Sequence, residues 1–350
     1  MTVTLKVIAE AAGVSIPVVS QVLNSKGQRF RPETQRRVRR AASRLGYRPN
    51  SSARAMATGR LGCATLVLST EGYRSTLPAE LLRGIDEELA RHNMHLTIAR
   101  LPDEKLTSEG YVPKILREWL SEGLLINYTS DIPRKMLALI HGRDIPSVWI
   151  NCRLRHDCVH PDDYGAGRLA GEHLLALGHR RLAYVCSWRP QDLRQAHYSA
   201  RDRGRGFRAA LRRAGIVPLR PPDFDADEPR RLELVRGWLA DPRTRPTGVF
   251  CYGDRDAPIV AAAALQLGLR IPEDISIVLC ADEQFVRMGL LFTTLVVPAA
   301  AVGAEAVRMM LRKVHRPNGR LPRRASPFEL HAGGTSAPPP GASSSRASTV

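Results

Sequence analysis

The chain has 350 residues, 43% hydrophobic and 25% charged, enough for two or three domains with sizeable cores. Its formal net charge is +18, and the excess is uneven: residues 1–60 hold 12 Lys and Arg against 2 Asp and Glu. The longest uncharged run, Met288 to Ala304, is 17 residues long and is broken by Pro298 and Gly303. A membrane span needs about 20 apolar residues, so an integral membrane protein is excluded. Glu10 interrupts the opening segment where a signal peptide would be apolar, which predicts a cytoplasmic chain.

In chain order, the first predicted element is a helix from Thr4, with Leu5, Ile8, Ala9 and Ala12 forming one apolar stripe. Gly13 ends it, and Ser15 can cap a second helix that tolerates Pro17 in its first turn and buries Val19, Val22 and Leu23. Pro32 opens a third helix, striped by Val38, Ala41, Ala42 and Leu45 and closed by Gly46; Ser51 to Ala57 is a fourth, short and helix-capable. From residue 61 the pattern alternates. Strands are expected at 63–68, 95–99, 123–126, 147–150, 182–186, 247–252 and 275–280. Helices are expected at 79–91, 112–120, 133–141, 166–177, 204–214 and 257–267. Two successive βα series predict an α/β core of two doubly wound lobes with parallel sheets. Residues 332–350, rich in Ala, Ser, Gly and Pro, are expected to form a disordered tail.

The Ala12-Gly13-Val14-Ser15 junction between two short helices is a helix-turn-helix signature. With Val19, Val22 and Leu23 turned inward, the second helix presents Ile16, Pro17, Ser20, Gln21 and Asn24 outward, where a helix in the major groove reaches base edges. A plain helical hairpin has the same pattern, but this one sits in a +10 block, the footprint expected for a polyanion partner. A cationic membrane helix would need a large apolar face, which Arg36, Arg37, Arg39, Arg40 and Arg44 do not leave.

The stretches TLKVIAEAAGVSIPVVSQVLN and RPETQRRVRRAASRLGYRPNSSARAMATG closely resemble the DNA-binding headpiece of the lactose-repressor (LacI) family of bacterial transcription regulators. DDYGAGRLAGEHLLALGHRRLAYV, SARDRGRGFRAALRRAGI, GLRIPEDISIV and TTLVVPAAAVGAEAV resemble the same family's ligand-binding core, so the likeness spans roughly residues 3–330. It implies an all-α helix-turn-helix headpiece (1–49), a hinge helix and linker (50–60), and a two-lobed periplasmic-binding-protein-like core (61–331). Lobe 1 would take about 61–160 and 291–320, and lobe 2 about 161–290 and 321–331. It further implies a homodimer that binds a pseudo-palindromic double-stranded DNA operator and answers to a small-molecule effector, with no cofactor, no metal and no membrane.

Carried over by motif, the DNA-binding residues are Thr4, Leu5, Ser15, Ile16, Pro17, Val18, Ser20, Gln21 and Asn24, followed by Asn50, Ala53 and Met56 in the hinge. Met56 stands where the family places a Leu that wedges between base pairs of the minor groove, and it is similarly apolar. Arg31 stands before Pro32 where a Ser or Thr cap is common, a loss of about 1 kcal/mol. The effector residues implied are Asn151, Arg203, Phe224 and Asp254. Two pocket motifs depart from the family: Tyr252-Gly253-Asp254 replaces Ala-Asn-Asp, and Leu279-Cys280-Ala281-Asp282 lacks the first acid of the usual pair. These losses point to an altered, less polar effector than an ordinary sugar, or to none.

Gly165, Gly167 and Gly171 loosely suggest a dinucleotide loop, but His160-Pro161-Asp162-Asp163 ahead of them is no apolar strand, and no catalytic motif is present. An enzyme is therefore not expected. His156, Cys158 and His160 alternate as strand-borne metal ligands would, yet no fourth ligand is near, and the six cysteines form no CxxC pair. A small-molecule (sugar) binding protein would share the core fold but not the basic headpiece. At the reading helix, Gln21 replaces a typical Arg, and Gln pairs bidentately with adenine where Arg pairs with guanine. Selection from random DNA should therefore enrich adenine at that operator position; retained guanine would refute the assignment.

Overall fold

A computed structural model describes residues 3–23, 29–48, 60–72, 75–102, 112–118, 120–129, 132–187, 197–222 and 228–341. The chain divides into two compact units, Met1–Leu61 and Gly62–Val350. The first contains α1 (Leu5–Ala12), α2 (Ile16–Leu23) and α3 (Pro32–Arg44) around a core of Ile8, Ala9, Ala12, Val19, Val22, Val38, Ala41 and Ala42. Gly13, at φ 59°, lets the chain reverse after α1: its N–H donates to the Glu10 carbonyl and that of Val14 to the Ala9 carbonyl, closing a Schellman motif. The same pair of bonds closes α3 at Gly46 and Tyr47. Thr4 and Arg31 precede α1 and α3 without a side-chain cap; Pro32 needs no donor partner, and the Gln35 amide reaches the Phe30 carbonyl at 2.9 Å.

The second unit begins with β1 (Cys63–Ser69), α4 (Ala79–Arg91), β2 (His95–Leu101), α5 (Lys114–Arg117), β3 (Gly123–Asn127), α6 (Arg134–Gly142), β4 (Ser147–Ile150) and β5 (Cys158–Pro161). There follow α7 (Asp163–Ala176), β6 (Leu182–Val185), α8 (Tyr198–Arg213), α9 (Glu228–Ala240), β7 (Gly248–Cys251), α10 (Asp256–Gln266) and β8 (Ser276–Ala281). The short pair β9 (Val286–Arg287) and β10 (Leu290–Leu291) precedes β11 (Thr293–Val296), α11 (Ala299–His315), β12 (Arg324–Ser326) and β13 (Glu329–His331). Lobe 1 is a six-stranded parallel sheet in the order β12-β5-β4-β3-β1-β2. Lobe 2 is a five-stranded sheet, β13-β11-β8-β7-β6, parallel except for β13 at its edge. Each sheet has buried apolar clusters, as expected for sheets covered on both faces.

The structure corrects the expected boundaries. Val296 of β11 pairs with Ala281 of β8, and Ser326 of β12 pairs with Pro161 of β5. The chain therefore crosses into lobe 1 at about 297 and returns at about 327, some six residues later than the resemblance implied. One uncharged run holds both β11 and the start of α11, and Pro298, not a charge, marks the break. The helix expected at 112–120 shrinks to four residues, because Glu118 is extended. The assignment of 332–341 to a disordered tail is also wrong. Thr335 is fully buried, accepts from Ile277 N–H (2.7 Å) and donates its hydroxyl to the Ile277 carbonyl (2.7 Å). His179 Nε2 donates to the Ala337 carbonyl (2.9 Å), and Gly334 N–H to the Leu291 carbonyl (2.7 Å). Composition weighs apolar surface, whereas this strap is held by hydroxyls and main-chain bonds. Residues 342–350 lie outside the described residues.

Helices α7 and α8 meet backbone to backbone. A Cβ on Gly167 would stand 1.9 Å from the Arg203 carbonyl oxygen, and one on Gly206 would stand 2.0 Å from that of Tyr164. Gly237 in α9, by contrast, has nothing within 4 Å of its would-be Cβ. Gly167→Ala should destabilise the core by about 1–3 kcal/mol or more through overpacking, while Gly237→Ala should stabilise it by roughly 0.5–1 kcal/mol. Thermal unfolding of the two variants checks this; equal melting temperatures would contradict the backbone contact.

Candidate nucleic-acid interface and ligand cleft

In the first unit the turn at Gly13 leaves Ser15, Ile16, Pro17 and Gln21 exposed on and before α2, with Ile16 45% exposed; Val18 and Ser20 are half-buried. Thr4 is exposed and Leu5 half-buried at the start of α1. Lys6, Arg29, Arg31, Arg36, Arg37, Arg39, Arg40, Arg44 and Arg48 are all exposed. Among the described residues of this unit only Glu10 and Glu33 oppose them. Such a surface can hold phosphates through its cations while an uncharged helix face meets base edges. Asn24, Asn50, Ala53 and Met56 lie outside the described residues.

In the second unit, Asn151 follows β4 at φ 54° and faces the first turn of α8. Its carbonyl accepts from His197 Nε2 (3.0 Å), and its Oδ1 accepts from the Tyr198 hydroxyl (3.1 Å). Since a carbonyl only accepts, His197 carries its proton on Nε2. Nδ1 then accepts from Ser199 Oγ (2.8 Å), which in turn accepts from the Tyr252 hydroxyl (2.8 Å). Burial lowers the His197 pKa and keeps the ring neutral, as this assignment requires. Arg153 forms an ion pair with Asp202 beside this chain, so two short segments of opposite lobes are tied directly together.

Arg203, 8% exposed, lies one turn further along α8. Its Nε donates to Asp163 Oδ1 (2.8 Å) and its Nη1 to the Tyr252 carbonyl (2.8 Å). The guanidinium carbon lies 4.8 Å from the Tyr252 ring centre and 5.4 Å from that of Phe328. Asn151 and Arg203 are thus brought into one network, with their named polar atoms engaged by the protein itself. Asp254 is exposed just beyond β7, and Phe224 lies outside the described residues. Asp162 and Asp163 stand side by side at the start of α7 with different roles. Asp162 is indeed the cap of α7, accepting from Gly165 N–H (3.0 Å), but Asp163 is the Arg203 partner. His197, Tyr198, Ser199 and Asp202 were missed, because their relevance comes from a contact across lobes. Among the described residues no group of three or more His, Cys, Asp or Glu is placed to hold a metal, and His156 is exposed while Cys158 donates to the Leu154 carbonyl (3.2 Å).

A three-helix unit with an exposed second helix, followed by two sheets linked by three crossings, defines a DNA-binding transcription regulator with a periplasmic-binding-protein-like core. Residues 4–50 match the profile "Bacterial regulatory proteins, lacI family", and residues 172–336 match "Periplasmic binding protein-like domain". The chain thus carries a lacI-type helix-turn-helix domain and a periplasmic-binding-protein-like domain. It is 27% identical over 321 residues to the HTH-type transcriptional repressor PurR of Edwardsiella ictaluri, covering 89% of this chain and 90% of that one. It is 29% identical over 324 residues to the repressor of the same name in Erwinia tasmaniensis, with the same coverage. The lac repressor dimer bound to operator and the anti-inducer ONPF shares the fold, with a TM-score of 0.71 at 22% identity over 96% of this chain and 100% of that one. A CelR–cellobiose complex aligns with a TM-score of 0.60 at 22% identity, over 95% and 99%.

Burial lowers the pKa of His160, His173, His179 and His197 below the ordinary 6.5, so the unfolded chain binds more protons as pH falls through that value. Asp256, raised by burial to about 6, and Asp282, raised by burial and by Asp254, act in the opposite sense above about 3.8 but are two groups against four. The melting temperature should fall progressively from pH 7.5 to pH 5.5; a flat profile in buffers of matched ionic strength would contradict neutral buried histidines.

Proposed function

We propose that this protein is a cytoplasmic, effector-responsive repressor that binds a pseudo-palindromic operator as a homodimer. The observation that carries this reading is the basic first unit, which combines a glycine-turned helix pair with nine exposed cations between Lys6 and Arg48. Thr4, Leu5, Ser15, Ile16, Pro17, Val18, Ser20 and Gln21 are proposed to contact DNA, with Gln21 reading a base edge and Ile16 offering apolar contact to a thymine methyl. Asn24, Asn50, Ala53 and Met56 complete the proposed set. A two-fold dimer places its reading helices in successive major grooves, which is why the operator should be pseudo-palindromic. The repressor names of the relatives covering 90% of their own length support regulation rather than catalysis. No single described helix is long and apolar enough to cross a membrane.

The effector is proposed to enter between the lobes, at the network joining Asn151, Arg203 and Tyr252. Its binding would compete with the protein's own bonds across the cleft, so differential affinity for closed and opened lobes couples ligand to DNA. A sugar-like effector would have to displace Asp163 and the Tyr252 carbonyl from Arg203, which favours a different chemistry. The purified full chain should bind its selected operator fragment tightly, and affinity should drop by roughly a thousandfold or more between about 50 and 200 mM salt if six or more phosphates are contacted. Electrophoretic mobility shifts against random competitor measure this; no preference for any fragment at low salt would overturn the reading.

A further inference from the structure

Carboxylates concentrate at one end of the cleft, in a chain that is strongly basic as a whole. In a protein of net charge +18, five carboxylates gather around the ends of β7, β8 and the α7–α8 pair: Asp163, Asp202, Asp254, Asp282 and Glu283. Arg203 answers Asp163, and Arg153 with Arg205 answers Asp202; Arg323 faces His160. Among the described residues no ion pair or hydrogen bond answers Asp254 or the Asp282 side chain. Partial desolvation, then the like charge of Asp254, push the Asp282 carboxyl up, with Arg203 only partly offsetting them.

Two buried acceptors beside this acidic group have no partner. Asp163, 2% exposed, gives Oδ1 to Arg203, while its Oδ2 is sealed from solvent and unbonded. His160 lies 2.7 Å through Nδ1 from the Pro161 carbonyl, so Nδ1 carries the proton and Nε2 is a lone pair, also buried and unbonded. Buried polar atoms are rarely left so, because each costs about 1–3 kcal/mol. Both orphans require a donor, and an anionic or purely accepting ligand group supplies none. The cage around Arg203, made by a carboxylate, a carbonyl and the Tyr252 and Phe328 rings, is already one that holds a guanidinium.

We propose that the effector of this cleft is a small organic cation, bearing an ammonium or amidinium group whose charge is met by Asp254 and Asp282 and whose donors satisfy Asp163 Oδ2 and His160 Nε2. This rests on the reading of the inter-lobe cleft as the effector site. The ends of parallel strands are where such folds take their ligands, and here those ends supply acceptors in excess. Placing the cation there leaves Arg203 in its own cage, so ligand and guanidinium share the acidic cluster instead of exchanging for one another.

The test is calorimetric titration of the full chain, without DNA, using agmatine and glucosamine as cationic probes and glucose and glucuronate as matched neutral and anionic ones. Saturable binding of at least one cationic probe is expected, near one per chain, with no saturable heat from glucuronate. Asp282→Asn combined with Asp254→Asn should weaken that binding about tenfold or more, since each removes a charge-assisted contact without disturbing the Arg203 pair. His160→Gln offers a second, uncharged probe of the orphan acceptor and should weaken it further. Failure of both cations to bind, binding of glucuronate, or unchanged affinity in the Asp254/Asp282 double variant would overturn the proposal. Operator binding measured separately on the same preparation keeps that failure distinct from a failure of the repressor reading.

Discussion

The ligand cleft depends on how closely α7 and α8 approach. With Gly167 against the Arg203 carbonyl and Gly206 against that of Tyr164, no side chain stands between the two helices. That approach brings the first residue of α7, Asp163, to the Arg203 guanidinium, and the pair is buried. Burying a charge pair is favourable only when the remaining donors and acceptors are met. The Tyr252 carbonyl and two aromatic rings meet those of Arg203, whereas one oxygen of Asp163 is left over. The polar character of the cleft thus follows from packing between two helices whose glycines, read locally, resemble a nucleotide loop.

The same arrangement explains why the cleft holds its lobes together without help. Asn151 and Arg153 come from the end of a lobe 1 strand; His197, Tyr198 and Asp202 come from the start of a lobe 2 helix. The left-handed backbone at Asn151 turns its carbonyl and amide toward the same helix. Tyr252, which replaces the small residue usual in the family, continues the chain of hydrogen bonds through Ser199. Its ring and carbonyl also hold the Arg203 guanidinium, so Tyr252 links both parts of the network.

Much of this was legible in the sequence. Short-range signals worked best: Gly13 and Gly46 as helix stops, Pro32 as a helix start, and the all-apolar strands at 63, 123 and 147, which need burial on both faces. The helix at 228–240 and that at 299–315 escaped because the first has little amphipathic contrast and the second begins within an apolar run shared with β11. Asn151 and Arg203, singled out by motif, meet in one hydrogen-bonded network, but the partners they find there carry no local signal. Asp202 beside Arg153 is 49 residues away in sequence, and no local pattern encodes such a meeting. The strap at 332–341 was misread because hydroxyl-rich, glycine-containing segments have the composition of disorder even when hydroxyl and main-chain bonds pin them to a sheet.

That strap has a consequence for how the protein is made. Lobe 1 receives its sixth strand only at 324–326, and lobe 2 its edge strand and clasp only at 329–337. Neither sheet can be completed while those last residues are still within the ribosome, although the amino-terminal three-helix unit has all its core residues by Tyr47. Synthesis therefore delivers the polyanion-seeking end in finished form first. The two-lobed core closes afterwards, once residues 324–337 have emerged.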